Sequence, residues 1–150
     1  MKRITFLTVV LTVVIAVFSG TSLLSCKSNK GKNIGLQLYS IRDSINRDVP
    51  SAIEKVARMG YTFVEPAGYS NSKFYGMDPV DFKELCEANG MTVLSSHTSY
   101  NLPSEENYEE AMKWWDECID AHIAAGAKYI VQPSMGRSAY ESLANLKEWC

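Results

Sequence analysis

From residue 34 onward the chain repeats one pattern: an amphipathic helical stripe, a glycine, then a short apolar run. It appears as IEKVARMGYTFVE (53–65), as FKELCEANGMTVLSSH (82–97) and as IDAHIAAGAKYIVQP (119–133). Ala52, Ile53, Val56 and Ala57 fall on one face of the first helix, and Phe82, Leu85 and Cys86 on one face of the second. Ala111, Trp115, Cys118, Ile119 and His122 form the third stripe, and a fourth helix is predicted from near Ala139 through Leu143 and Leu146. Gly60, Gly90 and Gly126 stand where each helix would end in a left-handed residue. Their separations of 30 and 36 residues are about the length of one βα unit. Asp78 reads as an N-cap ahead of Pro79, and Ser104 as a cap followed by acids that suit the positive end of the helix dipole.

The predicted strands are IGLQLYS (34–40), TFVEP (62–66), TVLSSH (92–97) and KYIVQP (128–133). Short apolar strands alternating with helices predict parallel pairing through helical crossovers, hence an α/β fold. Residues 34–150 hold four such units, whereas a closed eight-unit barrel takes about 250 residues. Trp149 and Cys150 fall inside the fourth helix with no cap after them, so the expectation is the first half of a longer protein.

In parallel α/β folds function gathers at the carboxyl ends of the strands. Polar residues stand there in all four: Gln37, Tyr39, Ser40, Arg42 and Asp43 after the first, Glu65 at the second, His97, Thr98 and Tyr100 at the third, Gln132 and Ser134 at the fourth. Glu65 finishes an apolar strand, where a carboxylate without a task would be desolvated for nothing; capping a loop or pairing with a lysine is its structural alternative. His97 is open between a site residue and a satisfied loop histidine. Gln37 and Tyr39 alternate with Leu36 and Leu38, so one face would carry both, either into a site or as barrel filling. Arg42 and Asp43 read as a loop ion pair, His122 as a structural residue of the third helix, and Trp114–Trp115 as helix packing with Trp115 inward.

The amino terminus changes the picture of location. Lys2 and Arg3 precede an uncharged run from Ile4 to Phe18 and then LLSC at Leu23–Cys26, too short an apolar segment for a comfortable membrane span. Residues 1–25 read as a secretory signal peptide, and LLSC resembles the lipobox of bacterial lipoproteins, which implies cleavage before Cys26 and lipid on it. Residues 26–33 then form a polar tether. The expectation is an exported lipoprotein, anchored in the membrane through Cys26 and facing the periplasm. Losing residues 1–25 lowers the basic count from 15 to 13 against 17 acids, so the formal charge moves from −2 to −4. Such a surface does not attract nucleic acid. Of the four cysteines, Cys86, Cys118 and Cys150 lie far apart with no CxxC spacing, which is not zinc spacing; Cys86 and Cys118 read as small buried hydrophobes.

The stretches IGLQLYSIRD, VPSAIEKVARMGYTFVEPAGY, NGMTVLSSHTSY and AAGAKYIVQP together resemble the opening half of the sugar phosphate isomerase/epimerase family, with a xylose isomerase-like TIM barrel. The same superfamily includes endonuclease IV, whose third strand also ends in a histidine followed by a Ser-Tyr pair, as SHTSY does here. The resemblance implies a (β/α)8 barrel, of which residues 34–150 would be the first four units, acting on a small-molecule carbohydrate. It implies a divalent metal (Mn, Mg, Zn or Co) and proton transfer through an enediolate. The family's usual metal ligands come from strands five to eight, which leaves Gln37, Tyr39, Glu65, His97 and Gln132 as substrate-pocket residues and His97 as a candidate secondary ligand. The alternatives are a non-catalytic carbohydrate-binding or inactive half-barrel, which could pair with a second copy as a homo-oligomer, and an endonuclease IV-like phosphodiesterase. Export and the acidic charge count against the last.

Overall fold

The computed structural model describes residues 33–101, 103–134 and 137–149. The expected signal peptide (residues 1–25), Cys26 and all of the expected tether but Asn33 lie outside them. In chain order the first elements are β1 (Gly35–Gln37), a 3-10 turn (Leu38–Ile41), α1 (Arg42–Ile45), α2 (Val49–Arg58) and β2 (Phe63–Glu65). A small hairpin follows, β3 (Tyr69–Ser70) and β4 (Lys73–Phe74), then α3 (Pro79–Ala88), β5 (Thr92–Val93) and β6 (Ser95–His97). The remainder is α4 (Tyr108–Ala124), β7 (Tyr129–Val131), a second 3-10 turn (Arg137–Tyr140) and α5 (Leu143–Trp149).

β1 pairs parallel with β2, β2 with β5, and β6 with β7. The Leu94 N–H donates to the Val64 carbonyl and the Leu94 carbonyl accepts from Lys128, so β5 and β6 are two halves of one strand between β2 and β7. Parallel strands adjacent in sequence order are what successive βα units produce. All four expected strands are present, each shorter than its apolar run.

The helix ends follow from local chemistry. Asp78 caps α3 by accepting from the Val80 N–H at 3.0 Å, as expected. After α3 the Gly90 N–H bonds the Glu87 carbonyl and Met91 bonds Cys86, and after α4 Gly126 bonds Ile123 and Ala127 bonds His122. These paired bonds satisfy the last carbonyls and require a left-handed residue, supplied at φ +73° by Gly90 and +79° by Gly126. Met91 and Cys86, brought together by this turn, are both buried.

Several expectations are corrected. The first strand stops at Gln37: Leu38, Ile41 and Ile45 follow a helical spacing, so the chain winds inward to bury Leu38 and Ile45. Tyr39 therefore leaves the sheet and is 56% exposed instead of sharing a strand face with Gln37. Ser104 does not cap α4; its N–H and hydroxyl both donate to Asn107 Oδ1, and the helix begins at Tyr108. Ile119, one residue beyond buried Cys118 and so rotated by about 100°, is exposed, while Ala121 and Ala125 complete the buried stripe. Trp115 is half-buried beside Trp114. Residues 137–140 form the 3-10 turn, so the fourth helix starts at Leu143, which is exposed, and not near Ala139.

The hairpin has no counterpart in the expected elements. Its turn residues Asn71 and Ser72 have φ of 50° and 57°, the pair of left-handed conformations that a two-residue I′ turn needs. The turn folds Phe74 into the core, where it stacks on Phe82 at 5.5 Å. Cys86 and Cys118 are buried free thiols, as expected. Among the described residues no helix is long and apolar enough to cross a membrane.

Candidate functional site

The site is built where three neighbouring parallel strands end. Gln37 and Glu65 are register partners at the last positions of β1 and β2. The third strand reaches them through an irregularity. Thr92 bonds Thr62 and Leu94 bonds Val64, a regular spacing of two; the next bond to β2 runs from His97 to Pro66, at 2.8 Å. Three residues on this strand thus oppose two on β2, a β-bulge in a parallel pair. Regular pairing would have brought Ser96 to that position, and the extra residue brings His97 there instead. Pro66 supplies a cause: it has no N–H to offer the Leu94 carbonyl, which turns to Lys128 on the other side at 2.9 Å.

With that register, one polar cluster forms. Gln37 Nε2 donates to Glu65 Oε1 at 2.6 Å and lies 3.1 Å from His97 Nδ1. The Ser95 hydroxyl donates to the other Glu65 oxygen, Oε2. Both carboxylate oxygens are therefore engaged, and the charge at the strand end is met by two donors instead of a lysine. Gln37, Glu65 and His97 are partly buried, open enough to meet a ligand and shielded enough for their hydrogen bonds to matter. Ser95 was not among the sequence candidates. Its signal was the strand period, since it stands two residues before His97 and shares its face.

The opposite face of the same strand is tied to α4. Ser96 Oγ lies 2.9 Å from Thr98 Oγ1, which lies 3.3 Å from His122 Nε2. His122 Nδ1 is 2.6 Å from the Cys118 carbonyl. His122 is buried against the rings of Tyr69 and Phe74, and burial pushes its pKa below the ordinary value. It is structural, as expected, and through the Thr98 side chain, which also meets Ser96, it ties the residues flanking His97 to α4.

Tyr39 and Gln132 are not brought into the cluster. Tyr39 lines a separate groove with Ala67, Gly68 and Tyr75, and the Arg42 guanidinium lies over its ring at 5.1 Å instead of pairing with Asp43. Gln132 clasps the loop after His97: its Oε1 accepts from the Tyr100 N–H at 3.3 Å and its Nε2 donates to the Ser134 carbonyl at 2.8 Å. The Tyr100 ring stacks on Trp114 at 4.4 Å, so this loop is held from two sides. The loop after Glu65 is fixed likewise, the Ala67 N–H donating to the partly buried Tyr75 hydroxyl at 2.9 Å. Among the described residues no group of three or more His, Cys, Asp or Glu side chains could hold a metal ion.

Residues 53–149 match the xylose isomerase-like TIM barrel family. The chain is similar to a sugar phosphate isomerase/epimerase from Parabacteroides distasonis, with 30% identity over 80% of this chain and 47% of that one, at a TM-score of 0.70. A second crystal structure of a sugar phosphate isomerase/epimerase from the same organism matches at 28% identity over 82% and 45% of the two chains, with a TM-score of 0.69. A xylose isomerase-like TIM barrel/4-hydroxyphenylpyruvate dioxygenase fusion protein shares the fold alone, at 11% identity over 64% of this chain and 15% of that one, with a TM-score of 0.51. No curated protein matches. The chain spans about half the length of the two isomerase/epimerase structures.

Proposed function

The chain belongs to the xylose isomerase-like TIM barrel family, and on that premise we propose that it forms part of an isomerase or epimerase of a sugar or sugar derivative, working by proton transfer through an enediolate. The observation that carries this reading is the Gln37–Glu65–His97 cluster at the carboxyl ends of adjacent parallel strands, where barrels of this kind bind ligands. Its polar groups suit the hydroxyl-rich face of a carbohydrate: Glu65 accepts from substrate hydroxyls, and His97 meets a neighbouring oxygen. Gln37 and Ser95 hold Glu65 in place. The likeness to two isomerase/epimerase structures supports the reaction class. A divalent metal belongs to the proposal as the family's cofactor, although no three of the described His, Cys, Asp or Glu side chains come together to hold it.

The proposal includes export. Leu23–Cys26 carries the lipobox-like motif, and a lipid on Cys26 would hold the domain at the periplasmic side of a membrane. The reaction is tested by incubating the protein in D2O with a panel of aldoses, ketoses and their phosphates, with and without Mn2+, Mg2+, Zn2+ or Co2+. Deuterium should enter the carbon next to the carbonyl of at least one of them. Sugar binding without any exchange would replace the isomerase reading with that of a carbohydrate-binding protein.

A further inference from the structure

The hydrogen bonds around Gln37 decide which nitrogen of His97 carries the proton. An amide nitrogen has two protons and no lone pair to offer. Turned the other way, the Gln37 amide would set its oxygen against the Glu65 carboxylate, acceptor to acceptor. With Nε2 towards Glu65, one proton lies on Oε1 at 2.6 Å and the other faces His97 Nδ1 at 3.1 Å. Nδ1 is then an acceptor, and the imidazole proton sits on Nε2. A neutral imidazole has a single nitrogen lone pair, and here Gln37 occupies it.

We infer that His97 is a hydrogen-bond donor to a ligand oxygen through Nε2–H, and not a metal ligand. A metal ligand needs a free lone pair on nitrogen, which this tautomer does not have. Glu65 and His97, bridged by one amide, thus present an acceptor and a donor side by side. They fit two neighbouring oxygens of a carbohydrate, one hydroxyl donating to Glu65 and one carbonyl or hydroxyl oxygen accepting from His97. The ligand class rests on the function proposed above; the tautomer does not.

His122 supplies an internal reference. Its Nδ1, 2.6 Å from the Cys118 carbonyl, must carry the proton, and its Nε2 accepts from Thr98. The chain has two histidines, and their hydrogen-bond partners assign them opposite tautomers. A long-range 1H–15N correlation spectrum of the full chain with 15N-labelled histidine distinguishes the two forms. One Nε2–H pattern and one Nδ1–H pattern are expected, and His97→Gln should remove the first alone. Gln37→Leu should turn the His97 pattern into a tautomer mixture while the His122 pattern, which reports an intact fold, stays. Zn2+ should leave the His97 Nε2–H in place. Two Nδ1–H patterns, or loss of the His97 Nε2 proton on adding Zn2+, would overturn the inference. The D2O exchange experiment fails or succeeds independently: exchange with the wrong tautomer rejects only this inference, and the right tautomer without exchange rejects only the isomerase reading.

Discussion

Thr98 and His122 join the third strand to the helix behind it, with Thr98 Oγ1 3.3 Å from His122 Nε2. Ser96 and Thr98 point towards α4, while Ser95 contacts Glu65 and His97 contacts Gln37 on the other face. The strand thus has a site side and an anchor side, and the anchor is a chain of polar groups ending on the Cys118 carbonyl. A buried polar chain with every member paired holds one backbone position better than apolar packing does, because any shift strands a donor or acceptor.

That anchor makes the fold sensitive to acid. Burial is the larger cause of the lowered His122 pKa, and the bond to the Cys118 carbonyl opposes it. In the unfolded chain the same imidazole has its ordinary pKa of about 6.5. Above that pH both states are neutral, and the His122 contribution is complete. As pH falls below it the unfolded chain binds a proton before the folded one, so stability declines until the folded pKa is passed. Thermal melts between about pH 7 and pH 5 should show a falling Tm, with a shallower decline in His122→Gln. An equal decline in both proteins would assign the acid sensitivity to other groups.

The two buried thiols should be inert while the chain is folded. Burial pushes Cys86 up to about 12 and Cys118 up to about 11, so little thiolate exists near neutral pH. Iodoacetamide at pH 8 followed by peptide mass mapping should leave both unmodified in buffer and modify both in denaturant. Rapid labelling of Cys118 in buffer would mean that α4 opens locally.

Phe74→Ala tests the hairpin. The ring is fully buried, stacked on Phe82 and set edge-on to His122 at 4.9 Å, so its loss opens a cavity at the centre of the core. The expected cost is about 3–5 kcal/mol, measured by urea unfolding. A cost under about 1 kcal/mol would mean that the hairpin is not docked as described.

The hairpin also marks where the sequence stopped being legible. The helix–glycine–strand phrase carries its own local signals, caps and periods, and all four parallel strands and the first three helical stripes could be read from it. The hairpin rests on an Asn-Ser turn with both residues in left-handed conformations, a weaker signal than Asn-Gly, and on Phe74 contacts that only tertiary packing supplies. Gln37, Glu65 and His97 could be read as strand-end residues, but not their mutual contact. That depends on a bulge, and on Pro66 withholding one N–H from the ladder. Tyr39 was misplaced because the apolar spacing at Leu38, Ile41 and Ile45 fits a winding chain as well as Leu36 and Leu38 fit a strand.

The amino-terminal proposal has its own test. If Cys26 carries lipid, the protein should partition into detergent and incorporate labelled palmitate when expressed in a bacterium with lipoprotein processing. Cys26→Ser should abolish the label and release the domain from the membrane fraction. Label persisting in that variant would reject Cys26 as the acylated residue.

Glu65→Gln separates a site role from a structural one. The substitution keeps volume, and a glutamine at 65 can keep its oxygen on the Gln37 NH2 and turn its own NH2 towards the Ser95 hydroxyl, which accepts as well as donates. Replacing two charge-assisted hydrogen bonds by neutral ones should cost about 1 kcal/mol of stability, a small fall in Tm. Loss of the carboxylate should cut turnover, followed by deuterium exchange, by about a hundredfold or more if Glu65 handles a proton. If it only binds hydroxyls, KM should rise while kcat holds, since the lost contact then serves ground and transition states alike. Ser95→Ala supplies the graded comparison: it removes one donor but leaves the charge, so its effect on turnover should be smaller than that of Glu65→Gln. A Glu65→Gln protein several kcal/mol less stable with unchanged turnover would instead make this carboxylate a strap between β1, β2 and the third strand.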